Sequence, residues 1–336
     1  MASIKDVARL AGVSVPTVSR VLSNSAPVDE ETRRKVEHAI KTINFRPNLL
    51  AQGLRSKSGS VIGLVVPEIL NETFSRFITY TEKFVTALGY TLVVGSTNGN
   101  PEAEGIFIDS LIRRHVNGII FSRVSDKSRV LRVIEKWNIP TVIIDRALDQ
   151  EDIPTVVLDN YRAGAIAAEH LTGLGHRKFA VITGPQDISL CRERLKGFID
   201  VLERQGMTLM QRNVFEGDFK FASGIEAGNY YVANHIEFTA LWAENDQMAI
   251  GAMNTLIRGG KDIPRDVSIL GMDNISSSEM VIPSLSTVTQ PFGDMCRKAV
   301  DLIVAMRDGV NISENRFALP PNLIIRESTA RLIGAE

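Results

Sequence analysis

From Ser60 onward the chain alternates short, continuous apolar runs with amphipathic stretches, and this restricts its body to one kind of architecture. SVIGLVVPE, YTLVVGST, GIIFSR and PTVIID are β-rich runs in which polar and apolar residues do not alternate. Between them, FSRFITYTEKFVTALG, IFIDSLIRRHVNG and VLRVIEKWN carry helical periodicity. Strands buried on both faces and separated by helices predict a doubly wound parallel sheet. The pattern starts again after Asp159, with AGAIAAEHLTGLG, KFAVITG, RERLKGFIDVLERQG, NVFEGD, GIEAGNYYVAN, TALWAEND, MAIGAMNTLIRGG and SILGMDN. Two α/β lobes of roughly 100–130 residues each are therefore expected.

Such sheets bind ligands beyond the carboxyl ends of their strands. Polar residues just after predicted strands are the candidates. Asp145 and Arg146 follow TVII, Asn245 and Asp246 follow ALWAE, and Asp273 and Asn274 follow SILGM. Arg194 opens a helix after GPQDISLCRE. Carboxylates and amides suit adjacent hydroxyls, and arginine adds a planar fork, which is chemistry for a polyol. Each of these residues could equally cap a helix or close a turn. Asp246, directly before QMAIGAM, reads as a cap rather than a ligand. Arg192 reads as a surface residue, although it could meet a phosphate or carboxylate.

The first 60 residues are different. They hold ten Lys/Arg against five Asp/Glu, whereas the remainder holds 28 against 34, so a basic head precedes a mildly acidic body. A polyanion is a natural partner for such a head. In IKDVARLA, Ile4, Val7, Ala8 and Ala11 share one helical face, Ser3 is placed to cap, and Gly12 supplies the turn. SVPTVSRVLS follows with apolar residues at helical spacing and Pro16 near its start. The first N–H groups of a helix have no internal acceptor, so proline there loses nothing. Either Val15 caps and Pro16 is the first helical residue, or Ser14 caps by accepting the Thr17 N–H. Thr17 and Ser19 suit phosphate oxygens, and Arg20 suits the O6/N7 edge of guanine. Asp29 and Glu30 can cap a third helix whose stripe is Val36, Ala39, Ile40 and Ile43. Pro47 ends it, and LLAQGLRSKSGS reads as a marginal helix and a flexible link.

SIKDVARLAGVSVPTVSRVLS, ETRRKVEHAIKTINFRPN and LLAQGLRS, in that order and spacing, resemble the DNA-binding head of the LacI/GalR family of bacterial transcription regulators. The likeness extends over essentially the whole chain. It implies a helix-turn-helix domain over 1–46 and a hinge helix and linker over 47–60. The body would be a periplasmic-binding-protein-like core, with one lobe from 61–158 plus 287–316 and the other from 159–286 plus 317–331. It places Val15, Pro16 and Arg20 at base edges in the major groove. It also sets Leu54, with Ala51 beside it, as a wedge in the minor groove. Pro16 and Ser23 differ from common family residues, which bears on operator preference. By the same resemblance Phe74, Asp145, Arg194, Phe219, Asn245 and Asp273 contact effector. Ile188 and Leu190 stand where purine-responsive relatives have Arg and Thr, which favours a sugar or sugar derivative.

The expected function is thus an effector-controlled repressor of carbohydrate-utilisation genes, acting as a homodimer on a palindromic operator. Ligand would shift the balance between two lobe arrangements and disfavour the hinge helix. A solute receptor and a nucleobase-responsive regulator are the alternatives. No nucleophile elbow, P-loop or G-x-G-x-x-G opening a dinucleotide unit is visible, so no enzyme and no cofactor are expected. His176, in GLGHRK, reads as structural. Cys191 and Cys296 have no zinc-like spacing and make a disulfide framework implausible. The first residues lack an apolar core of a secretory signal, and no run of apolar residues suits a membrane span. A cytoplasmic protein is expected, and the ending LIGAE, without a leucine-heptad helix, argues for a dimer over a tethered tetramer.

Overall fold

The computed structural model describes residues 3–23, 26–45, 61–124, 137–146 and 153–332. Ala51, Leu54 and the expected hinge lie outside these, as does most of VLRVIEKWN. The chain forms two compact units, Met1–Gly59 and Ser60–Glu336.

In the head, α1 (Ile4–Ala11), α2 (Val15–Ser23) and α3 (Glu30–Thr42) enclose a core of Val7, Ala8, Ala11, Val18, Val21, Val36 and Ala39. Helix α1 begins with a capping box: the Asp6 N–H donates to Ser3 Oγ, and the Ser3 N–H donates to the Asp6 carboxylate. It stops at Gly12, whose φ of 66° lies in the left-handed region. Asp29 caps α3 by accepting the Thr32 N–H at 2.8 Å. Ile40 and Ile43 complete the stripe as partly buried residues.

The body holds two six-stranded sheets. The first contains β1 (Val61–Val66), β2 (Thr91–Ser96), β3 (Gly118–Phe121), β4 (Thr141–Ile144), β5 (Thr155–Leu158) and β11 (Arg316–Leu319). Their order is β11-β5-β4-β3-β1-β2 and every neighbouring pair is parallel. Strand β1 shows why its sequence is apolar throughout. Ile62, Leu64 and Val66 pack under α4 (Glu72–Ala87) and α11 (Phe292–Arg307), while Val65 faces α5 (Pro101–Arg113) on the other side. The second sheet contains β6 (Phe179–Thr183), β7 (Val214–Glu216), β8 (Ala240–Ala243), β9 (Ser268–Met272), β10 (Ser286–Thr289) and β12 (Asn322–Ile324). Its order is β12-β10-β9-β8-β6-β7, parallel except at β10–β12. Helices α6 (Asn160–Gly173) and α7 (Ser189–Arg204) cover one face, and α8 (Phe221–Ala233) and α9 (Asp246–Arg258) the other. A single turn, α10 (Ser277–Met280), lies between β9 and β10.

The crossings between lobes differ from the expected positions by a few residues. Ser286–Thr289 belongs to the second sheet, hydrogen-bonded beside β9, and Arg316–Leu319 belongs to the first, beside β5. The chain thus returns to the first lobe after Gln290 and leaves it again after Leu319. The reason is pairing: each strand completes the sheet whose edge it meets, which local sequence does not encode.

Helices α6 and α7 cross at two glycines. A Cβ on Gly164 would lie 1.8 Å from the Arg194 carbonyl oxygen, and one on Gly197 would lie 1.9 Å from that of Tyr161. Backbone meets backbone here, so no side chain fits at either position.

His176 is buried and structural. Its Nδ1 faces Thr239 Oγ1 at 3.0 Å, and its Nε2 faces Ser268 Oγ at 3.0 Å and the Ala330 carbonyl at 3.2 Å. This ties the final segment to the second lobe. Burial pulls its pKa below the ordinary 6.5, although the Ala330 contact opposes the shift. The unfolded chain therefore takes up this proton first on acidification, and the stability His176 contributes is present above pH 6.5 and lost as pH falls towards the folded value. The stability difference between wild type and His176→Gln, read by urea unfolding, should accordingly shrink as pH falls from about 7 to about 5. A difference that stays constant across that range would show that His176 is not buried neutral.

Candidate functional site

In the head, Ser14 caps α2. Its Oγ accepts the Thr17 N–H at 3.3 Å and lies 2.8 Å from Thr17 Oγ1, and the Ser14 carbonyl accepts the Val18 N–H. Val15 is therefore the first helical residue and Pro16 the second, where its missing donor costs nothing. Pro16 and Arg20 are exposed on one turn-to-turn surface, with Thr17 and Ser19 half-buried beside them. Arg20 has no ion-pair partner among the described residues, so its guanidinium is available to a partner molecule. Val15 is half-buried and packs on the head core, which leaves only part of its side chain outward.

In the body, the six cleft residues expected from sequence converge. Phe74, Asp145, Arg194, Phe219, Asn245 and Asp273 all line one recess beyond the carboxyl ends of the strands. Three of them hold unusual backbone: φ is 69° at Asp145, 67° at Phe219 and 102° at Asp273. For a side chain as bulky as phenylalanine this is a strained geometry of a kind concentrated at functional sites.

Each side chain has a stated support. Arg194 donates from Nε to Asn160 Oδ1 at 2.9 Å and from Nη1 to the Glu244 carbonyl at 3.1 Å. Asp273 accepts from Thr73 Oγ1 at 2.9 Å and from Gln290 Nε2 at 2.7 Å. Asp145 is poorly satisfied, with Ser122 Oγ at 3.4 Å and Arg146 Nε at 3.9 Å. Burial raises its pKa, and Arg146 and Arg194 only partly offset this. Such a carboxyl favours a ligand that brings hydroxyl donors. Arg146 lies across the recess, 5.4 Å from the Phe74 ring centre and 5.8 Å from that of Phe219, and donates to the Val124 carbonyl at 2.8 Å.

Two expected roles change. Asn245, not Asp246, caps α9, accepting the Met248 N–H at 2.9 Å. Its amide nitrogen donates to the Phe219 carbonyl at 2.7 Å, so Asn245 holds the strained Phe219 in place while lining the recess. Asp246 instead ties three elements, accepting from Thr287 at 2.7 Å, Ser278 at 2.9 Å and the Ile275 N–H at 2.9 Å. Burial raises its pKa to about 7. Behind Arg194, the buried Glu244 accepts the Gly184 N–H at 2.8 Å, and burial raises its pKa to about 8.

Sequence reasoning missed Thr73 and Gln290, which also line the recess. Gln290 follows strand β10 and obeys the same strand-end rule that singled out Asp145 and Asp273. Thr73 gives no such signal, being an ordinary residue in the first turn of α4. Outside the recess the cleft opens into a cavity of about 720 Å³ between Glu68, Leu70, Asn98, Asp187, Phe219 and Lys220. That volume suits a small organic ligand. The recess itself leaves only about 20 Å³, room for one water, because Arg146, Thr73 and the two rings fill it. Among the described residues, no group of three His, Cys, Asp or Glu side chains is placed to hold a metal ion. None of the helices there is long and apolar enough to cross a membrane.

Residues 3–48 match the bacterial regulatory proteins of the lacI family, and residues 168–329 match a periplasmic binding protein-like domain. The chain is 32% identical over 333 residues to the HTH-type transcriptional repressor PurR of Photobacterium profundum, covering 99% of this chain and 100% of that protein. It is 30% identical over 329 residues to the ribose operon repressor of Escherichia coli (strain K12), covering 98% and 100%. In three dimensions it superimposes on a Lac repressor dimer bound to operator and the anti-inducer ONPF, with a TM-score of 0.90 at 29% identity, covering 98% and 99%.

Proposed function

Because the chain belongs to the LacI family of bacterial regulatory proteins, DNA-binding repressors that answer to small molecules, we propose that its own effector is a sugar or sugar derivative bound in the cleft between the lobes. The convergence of Asp145, Arg194 and Asp273 on one recess with Phe74 and Phe219 carries this reading. Paired acceptors and an arginine fork satisfy vicinal hydroxyls, and aromatic faces suit the C–H face of a sugar ring. The side chains of Ile188 and Leu190 offer no donor to the ring nitrogens of a base. A thermal-shift screen of sugars, sugar phosphates and nucleobases, followed by operator release with each hit, tests the reading. Stabilisation by nucleobases alone would replace the sugar with a purine-like effector.

The head reads DNA through α2. Pro16 and Arg20 face base edges, Thr17 and Ser19 meet phosphates, Val15 borders the groove, and Ala51 with Leu54 forms the minor-groove wedge. Two copies bind a palindromic operator as a dimer. Arg20→Ala should weaken cognate operator binding by roughly 1–3 kcal/mol while leaving non-specific binding nearly intact. Fluorescence anisotropy on cognate and scrambled duplexes measures this, and equal losses on both would remove Arg20 from base readout.

A further inference from the structure

The acceptor best placed to hold an effector hydroxyl is already occupied. Asp273 stands on the second lobe, after β9, and Thr73 on the first lobe, in α4. The Thr73 hydroxyl donates to Asp273 Oδ2 at 2.9 Å, and both residues are at least nine-tenths buried. The contact is one of a set made by a single stretch of helix. Glu72 Oε1 accepts from the Ser276 N–H at 2.7 Å and from Ser276 Oγ at 2.9 Å. Arg76 donates to the same Glu72 oxygen at 3.0 Å and to the Asp273 carbonyl at 3.4 Å. The first turns of α4 thus grip residues 273–276 across the cleft.

This grip is stereochemically defined. Asn71 caps α4 by accepting the Thr73 N–H at 3.0 Å, which fixes the start of the helix and the direction of Thr73. Asp273, at φ 102°, is held by its N–H donating to the Val288 carbonyl at 2.8 Å and by Gln290 on its other oxygen. Neither partner is a free surface side chain that found the other by chance.

We infer that the cleft is latched by its own ligand mimic: the Thr73 hydroxyl occupies the place of an effector hydroxyl on Asp273, so a polyol effector binds by displacing Thr73, and Thr73 sets effector affinity. The inference rests on the reading of this cleft as the effector site. Its direction is unusual, since removing a side chain that lines the site strengthens ligand binding. The latched form cannot take the ligand, and apparent affinity scales with the fraction of molecules that can. A hydrogen bond to a charged acceptor shifts such an equilibrium by roughly tenfold to a hundredfold. The recess of about 20 Å³ agrees with this, because a sugar ring enters only after the side chains move.

The test needs no ligand. In the full-length chain, nitroxide labels on Lys83→Cys in α4 and Arg204→Cys in α7 report the distance between lobes. Both positions are exposed, whereas the native Cys191 and Cys296 are buried. Labelled chain is diluted with unlabelled chain so that one copy per dimer is read by pulsed electron resonance. The Thr73→Val variant should give a longer, broader distance distribution than wild type, and Thr73→Ser, which keeps the hydroxyl, should superimpose on wild type. A Thr73→Val variant that superimposes on wild type overturns the latch, as does a Thr73→Ser variant that opens. Because neither sugar nor operator is present, failure here is separable from failure of the operator-release screen.

Discussion

Gly197→Ala is expected to cost about 3 kcal/mol or more of stability, an effect far larger than a single methyl group would suggest. Its Cβ would stand 1.9 Å from the Tyr161 carbonyl oxygen, and the opposing Gly164 meets the Arg194 carbonyl at 1.8 Å. Neither obstacle is a side chain that can rotate away. The helices must separate, and the core beneath them, including Phe198 stacked on Trp242 at 4.9 Å, must open with them. The same crossing sets Arg194 on α7 against Asn160 on α6. The variant should therefore lose effector response at temperatures where it is still folded. Urea unfolding measures the first effect, and a stability within about 0.5 kcal/mol of wild type would show that the crossing is looser than described.

Arg194→Ala should abolish effector-induced operator release while the ligand-free protein binds operator within about threefold of wild type. The guanidinium is buried, lines the recess and donates to two protein acceptors through Nε and Nη1. Loss of a charged donor inside such a site weakens effector binding by roughly tenfold to a hundredfold. The truncation also orphans Asn160 Oδ1 and the Glu244 carbonyl, so some stability is lost with it. Asp273→Asn is the companion variant: it keeps the shape and an acceptor for Thr73 but removes the charge that the Thr73 hydroxyl and the Gln290 amide share. Operator titrations with and without effector distinguish the cases. Normal release in both variants would move the effector site elsewhere.

Much of this was legible in the chain because it is local. A strand buried on both faces must be apolar throughout, and a helix start tolerates proline, so the two lobes and the start of α2 announce themselves. The strand-end residues were legible for a related reason, since only there does a parallel sheet expose polar groups to a cleft. What could not be read depends on partners far away in sequence. Thr73 has meaning only through Asp273, two hundred positions later. In Asn245–Asp246 either side chain could cap α9, and the choice follows from Thr287 and Ser278, which claim Asp246 from another strand and helix. The lobe crossings are likewise a matter of which sheet edge receives each strand.

The return of Phe292–Leu319 to the first lobe has a consequence for the birth of the molecule. That lobe's core includes Phe292, Met295, Cys296, Ala299, Val300 and Ile303 from α11, packed under β1, β3, β4 and β5. A ribosome that has finished β5 at Leu158 must still add most of the second lobe before α11 emerges. At typical synthesis rates that interval is on the order of ten to thirty seconds. Throughout it, α4 already lies on this face of the nascent sheet, but the side chains of β3, β4 and β5 that α11 covers still lack that helix. The second lobe's α6–α9 are all made before α11 emerges, whereas its strand β12 comes last. Both lobes thus wait for the last stretch of the chain, the first for α11 and β11 and the second for β12.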